Sequence, residues 1–466
     1  MIKPDPNKAL RCIPSLDAFL RREILGGVPR SVVQRESRAY LDEVRTAVLA
    51  DRMGEDEVAD LFATNAAETE VIDRCGRSQM LHHQRVINAT GIVLHTGIGR
   101  APIPDAAREA ISQAVGYAIV EIDPRTGQRN QREEKISTLL QQILGVEAGL
   151  VVNNNAAATT LVLASLAGGK EVITSRGELV EIGGGFRVPD VMRQARCKLV
   201  EVGATNRTHL HDFESAIGDE TAMLLKVHTS NFRLVGFHST PGLGELVPLA
   251  RSKDLLAVED LGSGLLYEGE IAGLVNEPRV QQSIVTGADI VCFSGDKLLG
   301  GPQCGIIVGS ADVVARVRAH PLYRAMRCDK LTLAGLEAVL AIYRDGDPLE
   351  EIPVLRALSR SKEQLEARAE ELVGLLVAAQ PSPILAEASI VASESFAGSG
   401  ANPAHPIPSA AVSIPGGSAV SEALRIGSGM PIIARIENDQ VLLDLRSLDC
   451  EDLEFVASQV RAKFPS

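Results

Sequence analysis

Short apolar runs alternate with amphipathic stretches through the middle of the chain. The runs are Leu150-Val151-Val152, Glu171-Val172-Ile173, Lys198-Leu199-Val200, Met223-Leu224-Leu225, Leu255-Leu256-Ala257-Val258 and Ile290-Val291-Cys292-Phe293. Runs without polar alternation, separated by helical segments, predict largely parallel strands buried on both faces of one sheet. Chemistry in such a sheet gathers at the carboxyl ends of its strands. Before it, residues 1–75 are poor in glycine and carry Leu16, Phe19, Leu20 and Ile24 at helical spacing, interrupted at Gly26-Gly27-Val28-Pro29. They predict a small helical N-terminal domain. After it, the pattern predicts a long helix over 350–379 and a Gly/Ser/Pro-rich stretch near 394–418. A hairpin of Ile432–Ile436 with Val441–Leu445 follows, then a closing helix. The expected division is 1–75, 76–345 as a large α/β domain, and 346–466 as a small α+β domain, with no internal repeat.

Charge refines this picture. The 466 residues hold 47 Lys+Arg against 60 Asp+Glu, a net charge of −13. That balance excludes a generic polyanion binder, because phosphate contacts need local cation density. Residues 1–40, however, hold eight Lys/Arg against four Asp/Glu, and 41–73 hold two against ten. A confined nucleic-acid contact on an otherwise acidic body fits this division. Aromatic residues make up 3% and tryptophan is absent, which argues against a broad base-stacking platform. No stretch reaches the roughly 18 apolar residues of a membrane span, and the start lacks an apolar signal core. Seven scattered cysteines without a CxxC pair read as free thiols in a reducing cytoplasm, with no metal framework.

The strongest local constellation is Asp289–Pro302, where an apolar run ends at Ser294-Gly295-Asp296-Lys297 before Gly300-Gly301-Pro302. A lysine desolvated there has a lowered pKa and can form a Schiff base. A solvated turn lysine is the plainer reading. A Ser-x-x-Lys acyl-transfer site lacks its companion triplets. Asp260, at the end of another run, is placed as a pyridoxal enzyme places the partner of its pyridinium nitrogen. Asn153-Asn154-Asn155-Ala156-Ala157 leads from a strand into a helix of small residues, whose first N–H groups can hold a phosphate. As single features, Asp260 and the asparagines also read as ordinary caps. Phosphate loop, acid and lysine in this order favour a pyridoxal 5′-phosphate enzyme of the type I, aspartate-aminotransferase-like α/β fold.

The strings Arg85–Gly91, Ser175–Gly184, Leu225–Asn231, Phe293–Gln303, His320–Arg327, Ile433–Arg435 and Asp444–Arg446 resemble the bacterial selenocysteine synthases, the L-seryl-tRNA(Sec) selenium transferases. The resemblance spans nearly the whole chain. It implies pyridoxal phosphate on Lys297, Asp260 at its ring nitrogen, and Asn154, Asn155, Ala156 and Ala157 near its phosphate. Ser294 and His228 would border the same pocket, with Lys226 nearby. It implies conversion of seryl-tRNA(Sec) to selenocysteinyl-tRNA(Sec) by β-elimination through an aminoacrylyl intermediate, with selenium added from selenophosphate. Arg100, Arg324 and Arg327 would clamp the donor anion, and Asp296 would orient the seryl hydroxyl. The family also implies a homodecamer built from dimers.

Three strings depart from the family pattern: His95–Arg100 with Gly97-Ile98, Gln128–Arg132, and Ala397–Asn402. The alternative keeps fold and cofactor but makes the chain a β-eliminating lyase of the sugar-amino-acid ammonia-lyase type, acting on a small molecule without tRNA. A tRNA-binding protein with a vestigial site is a further reading, opposed by the intact Lys297, Asp260 and phosphate loop.

Overall fold

The computed structural model describes every residue except 1–5, 23–27, 80, 183, 233, 272, 379–381, 399, 402–404, 427–428, 450 and 465–466. Ile24, Gly26 and Gly27, singled out above, and one of the seven cysteines, Cys450, lie outside the described residues. Contacts divide the chain into two compact units, Met1–Arg85 and Val86–Ser466.

The first unit contains helices Pro6–Cys12, Leu16–Phe19, Arg30–Leu49, Glu55–Ala63 and Ala66–Gln79. In Arg30–Leu49 the buried Val33, Ser37, Tyr40, Leu41, Val44 and Val48 recur every three or four residues, the spacing of one helical face. That face packs with Phe19, Val58 and Val71 into a closed core. Leu16–Phe19 is a single turn, capped by Ser15 Oγ accepting from the Ala18 N–H at 3.2 Å. The last helix runs to Gln79, past the boundary expected at 75.

In the second unit the strands begin with β1 (Ile87–Ala89), β2 (Ala148–Val152), β3 (Glu171–Ser175), β4 (Glu181–Ile182) and β5 (Phe186–Arg187). Next come β6 (Lys198–Val202), β7 (Thr221–Val227), β8 (Leu256–Gly262), β9 (Ile290–Ser294) and β10 (Gly305–Gly309). The last are β11 (Ser389–Ser395), β12 (Ile407–Pro415), β13 (Ile432–Glu437) and β14 (Gln440–Asp444). All six apolar runs became strands of one seven-stranded sheet, ordered β2-β10-β9-β8-β7-β3-β6. Strands β9, β8, β7, β3 and β6 are parallel. Strand β10 is antiparallel to β9 and to β2, which gives β2 the common direction. Along β9, Val291 and Phe293 enter one core while Ile290 and Cys292 enter another. Both faces are covered, so the run shows no alternation. This is the type I α/β fold expected from the strand-end pattern.

The second sheet, β1-β13-β14-β12-β11, belongs to the same unit. Strand β1 pairs parallel with β13, Ile87 with Ile432 through Ala89 with Ala434. The expected hairpin is present and tight: Glu437 pairs with Gln440 across Asn438 and Asp439, both at positive φ (50° and 61°). Both central residues with φ > 0 match the right-handed strand twist, and Asn and Asp tolerate that geometry. At the inner end of β14 the fully buried Asp444 gathers a network. Its Oδ1 accepts from Ser395 Oγ and Ser409 Oγ at 2.8 Å each, and its Oδ2 from Ser393 Oγ at 2.6 Å and Arg435 Nη1 at 3.0 Å. Arg435 also donates to the Thr90 carbonyl at 2.8 Å, tying the segment after β1 to this sheet.

The single helix expected over 350–379 is instead three: Pro348–Glu351, Pro353–Ser359 and Lys362–Val377. Pro353 lacks an N–H and disfavours helical backbone at Ile352, so the chain restarts there. Ser361 starts the third helix by accepting from the Gln364 N–H at 3.3 Å. No helix among the described residues is long and apolar enough to cross a membrane.

Candidate active site

The common strand direction delivers Asn153, Ser230, Asp260 and Ser294 to one edge of the sheet. A cavity of about 230 Å³ opens there, lined by Arg100, Asn154, Asn155, Asp260, Asp296 and Lys297 among others. Ala156, His228 and Ser294 also line it, so most of the predicted site residues share one pocket.

Lys297 is 7% exposed and sits in a turn pinned by Gly300 N–H to its own carbonyl at 3.0 Å. Burial pulls its amine below the ordinary lysine value. Asp260 and Asp296 oppose that shift, and Arg100 adds to it. Gly400, at φ +89°, lies over the lysine; a Cβ there would come within 2.6 Å of Nζ. The described part of the Ala397–Asn402 string therefore covers the lysine.

Asp260 is 6% exposed. It accepts from Asn155 Nδ2 at 2.8 Å and from Thr159 Oγ1 at 2.9 Å. Burial pushes its carboxyl upward, while these two hydrogen bonds pull it down. Its backbone carbonyl accepts the His228 N–H at 2.9 Å, which fixes His228 beside it. Asn155 and Thr159 are one helical turn apart on helix Asn155–Ala167, so one face presents both donors.

Asn154 caps that helix, its Oδ1 accepting from the Ala157 N–H at 2.8 Å. Ala157 thus spends its N–H on the cap and does not line the cavity, whereas Asn154, Asn155 and Ala156 do. Gly305 keeps this turn in place: a Cβ on it would lie 2.8 Å from Asn155 N and strike the Asn154 carbonyl. Asn155 Oδ1 is buried and lacks a partner among the described residues. A buried amine, a carboxylate steadied by two donors, and a small-residue helix start with an unmatched polar atom together fit pyridoxal phosphate.

The three arginines of the expected clamp separate. Arg100, held at φ +64°, lines the cavity and pairs with Asp296 Oδ2 at 2.6 Å. Gln303 Nε2 approaches the same oxygen at 3.5 Å. Arg324 and Arg327 do not line it. Arg324 is exposed. Arg327 bridges Val152 at the end of β2 and lies 3.9 Å from Glu121, the carboxylate that also binds Arg129 and Arg132. Two of the departing strings therefore meet arginines of the expected clamp: His95–Arg100 carries Arg100, and Gln128–Arg132 shares Glu121 with Arg327. Lys226 pairs with Glu178 and lines a neighbouring cavity.

Thr159, Gly305 and Gln303 were not among the predicted site residues. The signal for Thr159 was available, since it stands four residues after Asn155. Gly305 carries no local signal, because its neighbour across the sheet is set by register alone.

A family model described as L-seryl-tRNA selenium transferase (SelA) matches residues 86–449. An L-seryl-tRNA(Sec) selenium transferase of Geotalea daltonii is 43% identical over 466 residues, covering 98% of this chain and 99% of that one. One from Moorella thermoacetica is 45% identical over 448 residues, covering 94% and 93%. Among solved structures, a D-glucosaminate-6-phosphate ammonia-lyase aligns with a TM-score of 0.56 at 20% identity, over 82% of this chain and 95% of that one. That last likeness shows a shared fold. The chain belongs to the L-seryl-tRNA selenium transferase family.

Proposed function

We propose that this protein converts seryl-tRNA(Sec) to selenocysteinyl-tRNA(Sec), replacing the seryl β-hydroxyl with selenium from selenophosphate. The observation that carries the reading is Lys297, buried beside Asp260 at the strand ends of a chain 43% identical over its length to such transferases. Pyridoxal phosphate, when bound, supplies an electron sink that acidifies the seryl Cα–H and so permits loss of the β-substituent.

The chain's own groups supply the rest. Asp260, steadied by Asn155 and Thr159, would pair with the ring nitrogen. Asn154, Asn155 and Ala156 would hold the phosphate end, Ala157 serving the Asn154 cap behind them, and Ser294 and His228 would border the ring. Lys297 would anchor the cofactor and, once displaced, take the Cα proton, a role favoured by the burial that lowers its pKa. Asp296, positioned by Arg100, orients the leaving hydroxyl. Arg100 meets the donor anion from inside the cavity, while Arg324 and Arg327, which do not line it, would act on the anion only on its way in. The helical N-terminal unit, expected over residues 1–75 and compact through Arg85, contacts the tRNA. The protein works in the cytoplasm as a homodecamer.

The small-molecule lyase alternative gains nothing from the 20% likeness to an ammonia-lyase, which speaks for the fold alone. The test supplies purified protein with seryl-tRNA(Sec) and selenophosphate. Selenocysteinyl-tRNA is expected, and a Lys297→Ala variant is expected to be inactive and colourless. Consumption of a small amino acid with no conversion of the tRNA would overturn the assignment.

A further inference from the structure

Beside the Lys297 cavity lies a larger one of about 530 Å³, and the two share Val227, His228 and Ser230 as a common wall. Two buried side chains of the larger cavity have an oxygen without a hydrogen-bond partner among the described residues. One is Ser230 Oγ, on a residue 2% exposed; the other is Glu277 Oε1, on a side chain 2% exposed. His228 Nε2 approaches Glu277 to 3.5 Å without making a hydrogen bond. A buried carboxylate oxygen left unmatched is costly, so this site is built for a donor that arrives from elsewhere. Phe232, 38% exposed, and Leu234 give the cavity an apolar side. A free anion suits it poorly, since Lys226 is already paired with Glu178 and a second carboxylate faces inward.

This inference rests on the function proposed above, in which the reacting amino acid is an ester of the RNA's terminal ribose. Only the ester carbon and oxygen separate its Cα from the sugar, so the ribose lies within about 4 Å of the reacting carbon. It must therefore occupy whatever space adjoins the Lys297 cavity. We propose that the larger cavity receives the terminal nucleoside of the aminoacylated RNA, and that Glu277 accepts a hydrogen bond from the ribose hydroxyl next to the ester. An ionised carboxylate only accepts, and that hydroxyl is the donor the ester leaves free. Ser230, in the shared wall, offers a second polar contact at the junction, and Phe232 offers a face to the base.

The probe is adenosine carrying serine through a 3′-amide, titrated calorimetrically into the holoenzyme beside its 2′-deoxy counterpart. The 2′-deoxy form is expected to bind roughly 10- to 100-fold more weakly, the cost of losing a hydrogen bond to a charged acceptor. Glu277→Ala should bring the ribose form down to the same affinity, and Glu277→Gln, which keeps an acceptor, should retain part of the preference. Equal affinities in the unaltered enzyme, or a 2′-deoxy penalty that survives in Glu277→Ala, would overturn the proposal. If the alanine variant does not fold, the two probes on the unaltered enzyme decide alone. Turnover of seryl-tRNA(Sec) is measured in parallel: its absence counts against the activity, whereas absent 2′-selectivity counts against this pocket.

Discussion

Gly305→Ala perturbs the Asn154–Asn155 turn without replacing any polar side chain. The new methyl would stand 2.8 Å from Asn155 N, short of ordinary contact near 3.4 Å by about 0.6 Å, and closer still to the Asn154 carbonyl. Strand β10 cannot retreat, because Gly305 is paired with Ser294 on one side and Val152 on the other. The strain therefore falls on the turn, moving Asn154 and Asn155 by an appreciable fraction of an ångström. Overpacking of this kind costs about 1–3 kcal/mol of stability. The functional cost is larger in relative measure, since Asn155 is also one of the two donors to Asp260. Losing one well-aligned bond to a charged acceptor predicts roughly 10- to 100-fold weaker binding of pyridoxal phosphate. Absorbance titration of the apoprotein measures that affinity, and a thermal melt measures the stability. A variant that loses stability but binds the cofactor with unchanged affinity would refute the role assigned to this turn.

Other expectations follow from the same geometry. Because burial holds the Lys297 amine below its usual 10.5, cofactor uptake should rise with pH around a midpoint beneath that value. Asp296→Asn removes a group that raises it and should move the midpoint down; Arg100→Met should move it up, and the opposite signs would refute the electrostatic reading. Asp444→Ala strips the acceptor from Ser393, Ser395, Ser409 and Arg435 and should cost about 3–5 kcal/mol, seen as a large fall in the thermal unfolding temperature. Removing residues 1–85 should abolish tRNA(Sec) binding in a filter or gel-shift assay while the cofactor's visible band persists. Retained affinity would dissociate the helical unit from RNA recognition.

The parts of the site legible in the sequence are those fixed by strand ends. Ser294, Asp260 and Asn154 each close an apolar run, and a parallel sheet carries every such end to one edge. Lys297 follows because its turn is local to β9. What escaped are residues whose meaning depends on distant pairing. Gly305 matters only because β10 lies against β2, and Glu277 only because its loop reaches His228. The join of β1 to β13 brings together residues some 345 positions apart, a distance over which periodicity carries no information. The helix expected over 350–379 failed for the opposite reason: Pro353 and Ser361 were in plain view, and their local geometry outweighed the apolar period. Arg324 and Arg327 share a helical spacing, yet only Arg100 of the three lines the cavity.

The parallel pairing of β1 with β13 also sets the order in which the protein can be made. The segment after β1 leads through Leu94, whose N–H donates to the Ala397 carbonyl at 2.8 Å, to Arg100 and its partner Asp296. Every residue of the seven-stranded sheet leaves the ribosome before β13, the neighbour of β1, has been synthesised. A nascent chain therefore carries Asn154, Asn155 and Lys297 long before β1, at the root of the arm that bears Arg100, has a strand to pair with. A message truncated before codon 432 yields a polypeptide that keeps Asn155, Asp260 and Lys297 but leaves β1 with no strand to pair with, a substrate for proteolysis more than for catalysis.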